Sequence, residues 1–114
     1  MIHRGEIYWV NLDPTVGSEI KKTRPCLVIS NNQANQFSSV ITVVPITSSV
    51  GKIYPFEVAL SEGDGGIKKS GVLKINQIKT IHKTRISGKP LGSALDQGIM
   101  KKVAYALKIH LSIE

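Results

Sequence analysis

The apolar residues of this chain come in short runs of four to seven, each bounded by turn formers, as far as Gly88, and a single helical stripe follows. Such a pattern points to a small, strongly bent sheet or barrel capped by one helix, a mainly β fold of the α+β class. Residues 6–12 (EIYWVNL) are rich in the aromatic and β-branched types that suit a pleated, half-buried surface. Residues 24–30 (RPCLVIS) form a near-continuous apolar run, as in a strand covered on both faces. Residues 40–46 (VITVVPI) form a third, with Pro45 near its end, where a lost ladder donor is tolerable. Residues 56–60, 72–75 and 77–81 complete a predicted set of six strands, and residues 31–37 are expected to make a short helical turn. In the tail, Leu95, Ile99, Val103, Leu107 and Leu111 recur at four-residue spacing. This stripe would face the sheet or a second subunit, with Ser93 as its N-cap and Asp96 favouring the positive helix end.

At 114 residues, with no repeat and no Pro/Gly/Ser linker, the chain reads as one domain spanning residues 1–114. Cys26 is the only cysteine, so no intrachain disulfide and no cysteine-cluster metal site is possible. No stretch approaches the roughly 20 apolar residues of a membrane span, and the N-terminus lacks a signal-peptide core. A reducing cytoplasm is the expected location.

Charge says more. Fifteen Lys and Arg against eight acids give +7, of which residues 1–60 carry +1 and residues 61–114 carry +6. Nothing acidic lies between Asp64 and Asp96, whereas Lys68, Lys69, Lys74, Lys79, Lys83, Arg85 and Lys89 all do. A surface of one sign suits a polyanion, because counterion release drives phosphate binding. The same charges would serve equally as a solubilising face or as a dock for an acidic protein segment.

Local strings then narrow the field. Arg4-Gly5-Glu6-Ile7-Tyr8 is followed by Asp13-Pro14-Thr15-Val16-Gly17-Ser18-Glu19, Thr23-Arg24-Pro25 and Pro45-Ile46-Thr47. Lys69-Ser70-Gly71-Val72, Gln77-Ile78-Lys79-Thr80-Ile81 and Arg85-Ile86 come later. In this order and spacing the set resembles the MazF/PemK family of toxin endoribonucleases over essentially the whole chain. The resemblance implies an SH3-like barrel of the MazF/PemK/CcdB type acting as a homodimer. It implies sequence-specific cleavage of single-stranded RNA without metal or other cofactor, leaving a 2′,3′-cyclic phosphate and a 5′-hydroxyl and so stopping translation. It also implies a cognate antitoxin whose acidic, extended segment fills the RNA groove.

Metal-free RNA cleavage takes its nucleophile from the ribose, so the protein must align the 2′-oxygen, accept its proton and stabilise the phosphorane charge. Arg24 matches the family's catalytic arginine; a guanidinium gives paired bonds to phosphate oxygens but, with a pKa above about 12, is a reluctant acid. Thr47 matches the catalytic threonine, its hydroxyl donating to the scissile phosphate. Glu19 is a candidate general base or a partner that orients Arg24. Gly17, in the long loop of residues 13–23, can take a positive φ and admit RNA closely, and Ser18 stands near the expected phosphate. Lys21 and Lys22 would attract backbone phosphates. Ser70 and Gln77 match groove positions, where hydroxyl and amide groups read base edges or simply make structural hydrogen bonds. In the loop of residues 48–54 (SSVGKIY), Lys52 would bind phosphate and Tyr54 stack on a base.

His3, His82 and His110 fall at no position the family uses for chemistry. A CcdB-like toxin, which poisons DNA gyrase by binding, is the alternative on the same fold. That activity resembles a C-terminal tryptophan motif, and this chain ends Leu111-Ser112-Ile113-Glu114 with its one tryptophan at Trp9. A module that binds RNA without cutting it would not need both Arg24 and Thr47.

Overall fold

The computed structural model describes residues 1–48 and 51–114. Its strands are β1 (Ile7–Asn11), β2 (Thr23–Val28), β3 (Val40–Thr47), β4 (Glu57–Leu60), β5 (Gly71–Lys74), β6 (Lys79–His82) and β7 (Ile86–Ser87). Two helices, α1 (Asn32–Phe37) and α2 (Gln97–Leu111), join them. All pairings are antiparallel, in the order β4-β5-β3-β2-β1-β7, with β6 also on β3.

β3 organises the molecule by serving three neighbours. It pairs along one edge with β2 and along the other with β6 over Val40–Val43 and then with β5 at Ile46 and Thr47. Pro45 sits at the changeover, where a residue without an N–H is tolerated. The run β7-β1-β2-β3-β6 curls until a 3₁₀ turn, Lys83–Arg85, carries β6 straight into β7 and completes a small barrel. Alternation along the strands then separates two cores. Tyr8, Val10, Leu12, Cys26, Val28, Ile41, Val43 and Ile81 fill the barrel. Ile7, Leu27, Val44 and Ile46 face outward and are covered by β4, β5 and α2. Because the central strands are covered on both faces, their sequences are apolar without a break.

Three expectations need correction. There are seven strands among the described residues, not six: the two-residue β7 is too short to show a period, and pairing with Trp9 and Val10 defines it. Gln77 ends a 3₁₀ turn, Ile75–Gln77, and β6 begins two residues later. The N-cap of α2 is Asp96, whose side chain accepts from the Ile99 N–H at 2.8 Å, rather than Ser93. Residues preceding Asp96 are tied to the N-terminal segment: the N–H groups of Leu91 and Leu95 donate to the carbonyls of Ile7 and Gly5 at 2.8 and 2.9 Å. Met100, Val103 and Ala106 form the buried face of α2, while Leu111 is 50% exposed. A stripe of strict four-residue steps drifts about 40° per step around a helix, so its last member has turned away from the sheet.

Candidate functional site

The β2–β3 ladder pairs Val28 with Val43, Leu27 with Val44 and Cys26 with Pro45. Continued by two residues, that register sets Arg24 opposite Thr47, on the pleat face of Cys26 and Pro45. Since Cys26 and Val43 on this face fill the barrel, Arg24 and Thr47 stand at its rim. Arg24 is half-buried, and its Nε donates to the Lys21 carbonyl at 3.2 Å. Its terminal nitrogens make no hydrogen bond among the described residues. Thr47 pairs with Val72. The next residue of β5, Gly71, has no room for a side chain: a Cβ would lie 2.8 Å from the Thr47 carbonyl oxygen and 2.8 Å from Ile46 Cγ2. This close approach brings the exposed Ser70 to the end of β3.

The loop between β1 and β2 is fastened over the same rim by side chains from the far end of the sequence. Gln77 accepts from the Ile20 N–H at 3.2 Å through Oε1 and donates to the Ser18 carbonyl at 3.1 Å through Nε2. Lys79 Nζ donates to the Leu12 carbonyl at 3.2 Å and lies 4.0 Å from a Glu19 carboxylate oxygen. Arg85 donates to the carbonyls of Asn11 and Asp13. Within the loop, Glu19 accepts from the Val16 N–H at 3.2 Å, and Lys22, at φ +70°, donates its N–H to the Asp13 carboxylate. Gly17 has φ +58° and open space where a Cβ would be. The side chains of Lys21 and Lys22 are exposed. A cleft of roughly 240 Å³ is left between this loop and the sheet, lined by Leu12, Glu19, Ile20, Pro45 and residues 76–79.

Arg24, Thr47, Ser18, Glu19, Ser70 and Gln77 are therefore carried by elements that meet at one end of the barrel. Glu19 pairs with Lys79, however, and not with Arg24. Lys52 and Tyr54 stand elsewhere. Thr47 is level with Val72 and Ala59, whereas Tyr54 lies beyond the Glu57 end of β4. There its ring stacks on Phe56 at 5.6 Å, Phe56 lies 6.4 Å from His110 of α2, and Lys52 Nζ is 5.4 Å from the Tyr54 ring. Ser49 and Val50, in the same predicted base-reading loop, lie outside the described residues.

The basic run is less available than its sequence suggests. Lys74 donates to the Glu57 carboxylate, and Lys79 and Arg85 are committed to the β1–β2 loop. Sequence reading counted Lys79 and Arg85 in a one-signed surface, for a polyanion, solubility or an acidic segment, and missed their structural task; partners 67 to 74 residues away leave no local signal. Burial pushes the Cys26 thiol to about 12 against the opposing charge of Lys79, so it is no nucleophile. Burial also pushes the Tyr8 phenol to about 12, helped by its hydrogen bond to Glu6. None of the histidines joins Arg24: His3 lies beside Glu6, His82 accepts from the Thr84 N–H, and His110 packs near Phe56. Among the described residues no three of His, Cys, Asp and Glu cluster as a metal-ligand set, and no helix is long and apolar enough to cross a membrane.

Comparison with known proteins agrees with this geometry. The profile of the "PemK-like, MazF-like toxin of type II toxin-antitoxin system" family matches residues 3–111. The chain is 39% identical to "Endoribonuclease MazF9" of Mycobacterium tuberculosis over 118 residues, covering 99% of this chain and 98% of the relative. It is 37% identical to "Endoribonuclease EndoA" of Bacillus subtilis over 114 residues, covering 99% and 97%. Among solved structures, MazF from Deinococcus radiodurans superposes with a TM-score of 0.83 at 26% identity, covering 98% of this chain and 97% of that one.

Proposed function

The chain belongs to the PemK-like, MazF-like toxin family of type II toxin–antitoxin systems, and from that premise we propose that it is a metal-independent, sequence-specific endoribonuclease of single-stranded RNA. The observation that carries this reading is the β2–β3 register, which, continued two residues beyond Cys26 and Pro45, would set Arg24 opposite Thr47 at one rim of the barrel. Two relatives named endoribonucleases, each matched over nearly its whole length, support cutting rather than the gyrase binding of the CcdB-like alternative.

In the proposed reaction the RNA backbone crosses the rim so that one phosphodiester lies between Arg24 and Thr47. The ribose 2′-oxygen forms a bond to phosphorus while the bond to the 5′-oxygen breaks, leaving a 2′,3′-cyclic phosphate and a 5′-hydroxyl. The free end of the Arg24 guanidinium stabilises the extra charge on the non-bridging oxygens, and Thr47 donates a hydrogen bond to the same phosphate. Glu19 lines the cleft beside Pro45, two residues from Thr47, and is half-exposed with lone pairs remaining after its bond to Val16. It is the proposed acceptor of the 2′-hydroxyl proton; the leaving 5′-oxygen takes its proton from water. Gly17, Ser18 and Ser70 contact the backbone around the cut, and Lys21, Lys22 and Lys52 attract neighbouring phosphates. Tyr54, beyond the Glu57 end of β4, stacks on a base.

The toxin is proposed to act as a homodimer. In support, Tyr105, Ile109, Leu111 and Ile113 leave an exposed apolar surface on and after α2. An antitoxin with an acidic, extended segment is the proposed inhibitor, and cleavage of cytoplasmic RNA with loss of translation the proposed consequence. Incubating the purified protein with a long single-stranded RNA in excess EDTA and sequencing the fragment ends tests the reading. The expected result is cuts at a shared short motif with 2′,3′-cyclic phosphate ends; intact RNA, or cuts only after metal is restored, would overturn it.

A further inference from the structure

We propose that Gln77 is a positioning residue, not a reader of bases: its side-chain amide clasps the β1–β2 loop and so holds Ser18 and Glu19 beside Arg24 and Thr47. This rests on the reading of the rim as an RNA-cleaving site. The primary amide presents one acceptor and one donor side by side, and the loop presents the complementary pair. Oε1 takes the Ile20 N–H at 3.2 Å and Nε2 gives to the Ser18 carbonyl at 3.1 Å, so residues 18 and 20 are bound as a strand would bind alternate residues. No strand serves this part of the loop among the described residues; its own backbone bonds are Glu19 N–H to Val16 and, at the base, Leu12 N–H to Lys22.

The clasp is mounted rigidly. Gln77 closes the 3₁₀ turn Ile75–Gln77, in which Ile75 is fully buried, and two residues later Lys79 ties the same loop at Leu12 and Glu19. The Oε1 lone pair and the Nε2 proton that make the loop bonds are not open to a base edge unless the amide releases the segment that carries Ser18 and Glu19. Gln77 therefore acts on the reaction through the loop.

The test combines amide hydrogen exchange at Ile20 in RNA-free protein with steady-state cleavage, using Gln77→Met and Gln77→Glu. In Gln77→Met, Ile20 exchange accelerates about tenfold, the scale of two lost hydrogen bonds. Its kcat falls while KM and the cleaved motif stay those of the parent. In Gln77→Glu, protonation in acid turns the carboxyl into a donor for the Ser18 carbonyl, so Ile20 protection and relative kcat recover as pH falls through the new group's pKa. Unchanged Ile20 protection in both variants would overturn the clasp. Faster exchange with parental kcat, or a changed motif with protection retained, would overturn the positioning role. If the parent protein cuts no RNA, the nuclease reading fails, and the exchange measurement alone still decides whether the clasp exists.

Discussion

The ammonium of Lys79 is bound to the carbonyl of Leu12 at 3.2 Å, one of the contacts by which the basic half of the chain holds the β1–β2 loop in place. Together with Lys74 on Glu57 and Arg85 on Asn11 and Asp13, it removes three cations from the seven between Asp64 and Asp96. The salt dependence of RNA binding should reflect this division. Removing the exposed pair in Lys68→Ala/Lys69→Ala lowers the slope of log K against log salt by about 1.4, near 0.7 for each phosphate contact on a single strand. Lys79→Met leaves the slope unchanged and lowers Tm instead. Filter binding across a salt series, with melting curves alongside, separates the two.

Glu57 supports the β4–β5 hairpin, and its side chain is only 2% exposed. Burial raises its pKa, but the hydrogen bond from Lys74, the Tyr54 N–H and the Lys74 charge outweigh burial and leave it below the usual carboxylate range. A lowered native pKa means stability that is present above the unfolded carboxylate's pKa, about 4.3, and lost as pH falls through the native value. Glu57→Gln should cost about 1–2 kcal/mol at pH 7 and show a shallower loss of stability below about pH 4 than the parent. Urea titrations at several pH values measure both.

Cys26 is fully buried in the barrel, with its thiol raised to about 12. A thiol reagent at pH 8 should leave the native protein untouched and modify it stoichiometrically in denaturant. The native rate therefore reports opening of the barrel. Reaction within minutes without denaturant would show that the thiol is not enclosed.

Gly71→Ala tests the close approach of β5 to β3. The added methyl meets the Thr47 carbonyl and Ile46, each at 2.8 Å, and β5 must move away. A loss of about 1–3 kcal/mol is expected, the usual range for overpacking. Because Ser70 and Thr47 are adjacent to the displaced backbone, cleavage should fall as well, with the protein still folded by circular dichroism.

The central strands of the barrel were legible because they are covered on both faces and so write near-continuous apolar runs, as residues 24–30 and 40–46 do. β7 was hidden because two residues carry no period, and the start of α2 was misplaced because the N–H groups of Leu91 and Leu95 are taken by carbonyls near the N-terminus. At the site, Arg24 and Thr47 were found through motifs, since no local property marks them. Their facing arrangement follows from continuing the Cys26–Pro45 ladder by two residues, a register that a one-dimensional string does not display. The same holds for Gln77: its amide looks free in the sequence and is bound at both ends in the fold.

The central claim is that Arg24 and Thr47 act on one phosphodiester, and a double-mutant cycle on cleavage rate tests it most directly. Arg24→Ala should lower kcat by about 10²–10³-fold and Thr47→Ala by about 10–10²-fold, with folding intact. The double variant should be little slower than Arg24→Ala alone, because groups that grip the same phosphate lose their effect together. Losses that multiply in full would place the two residues on separate tasks, and cleavage undiminished in Arg24→Ala would contradict the account outright.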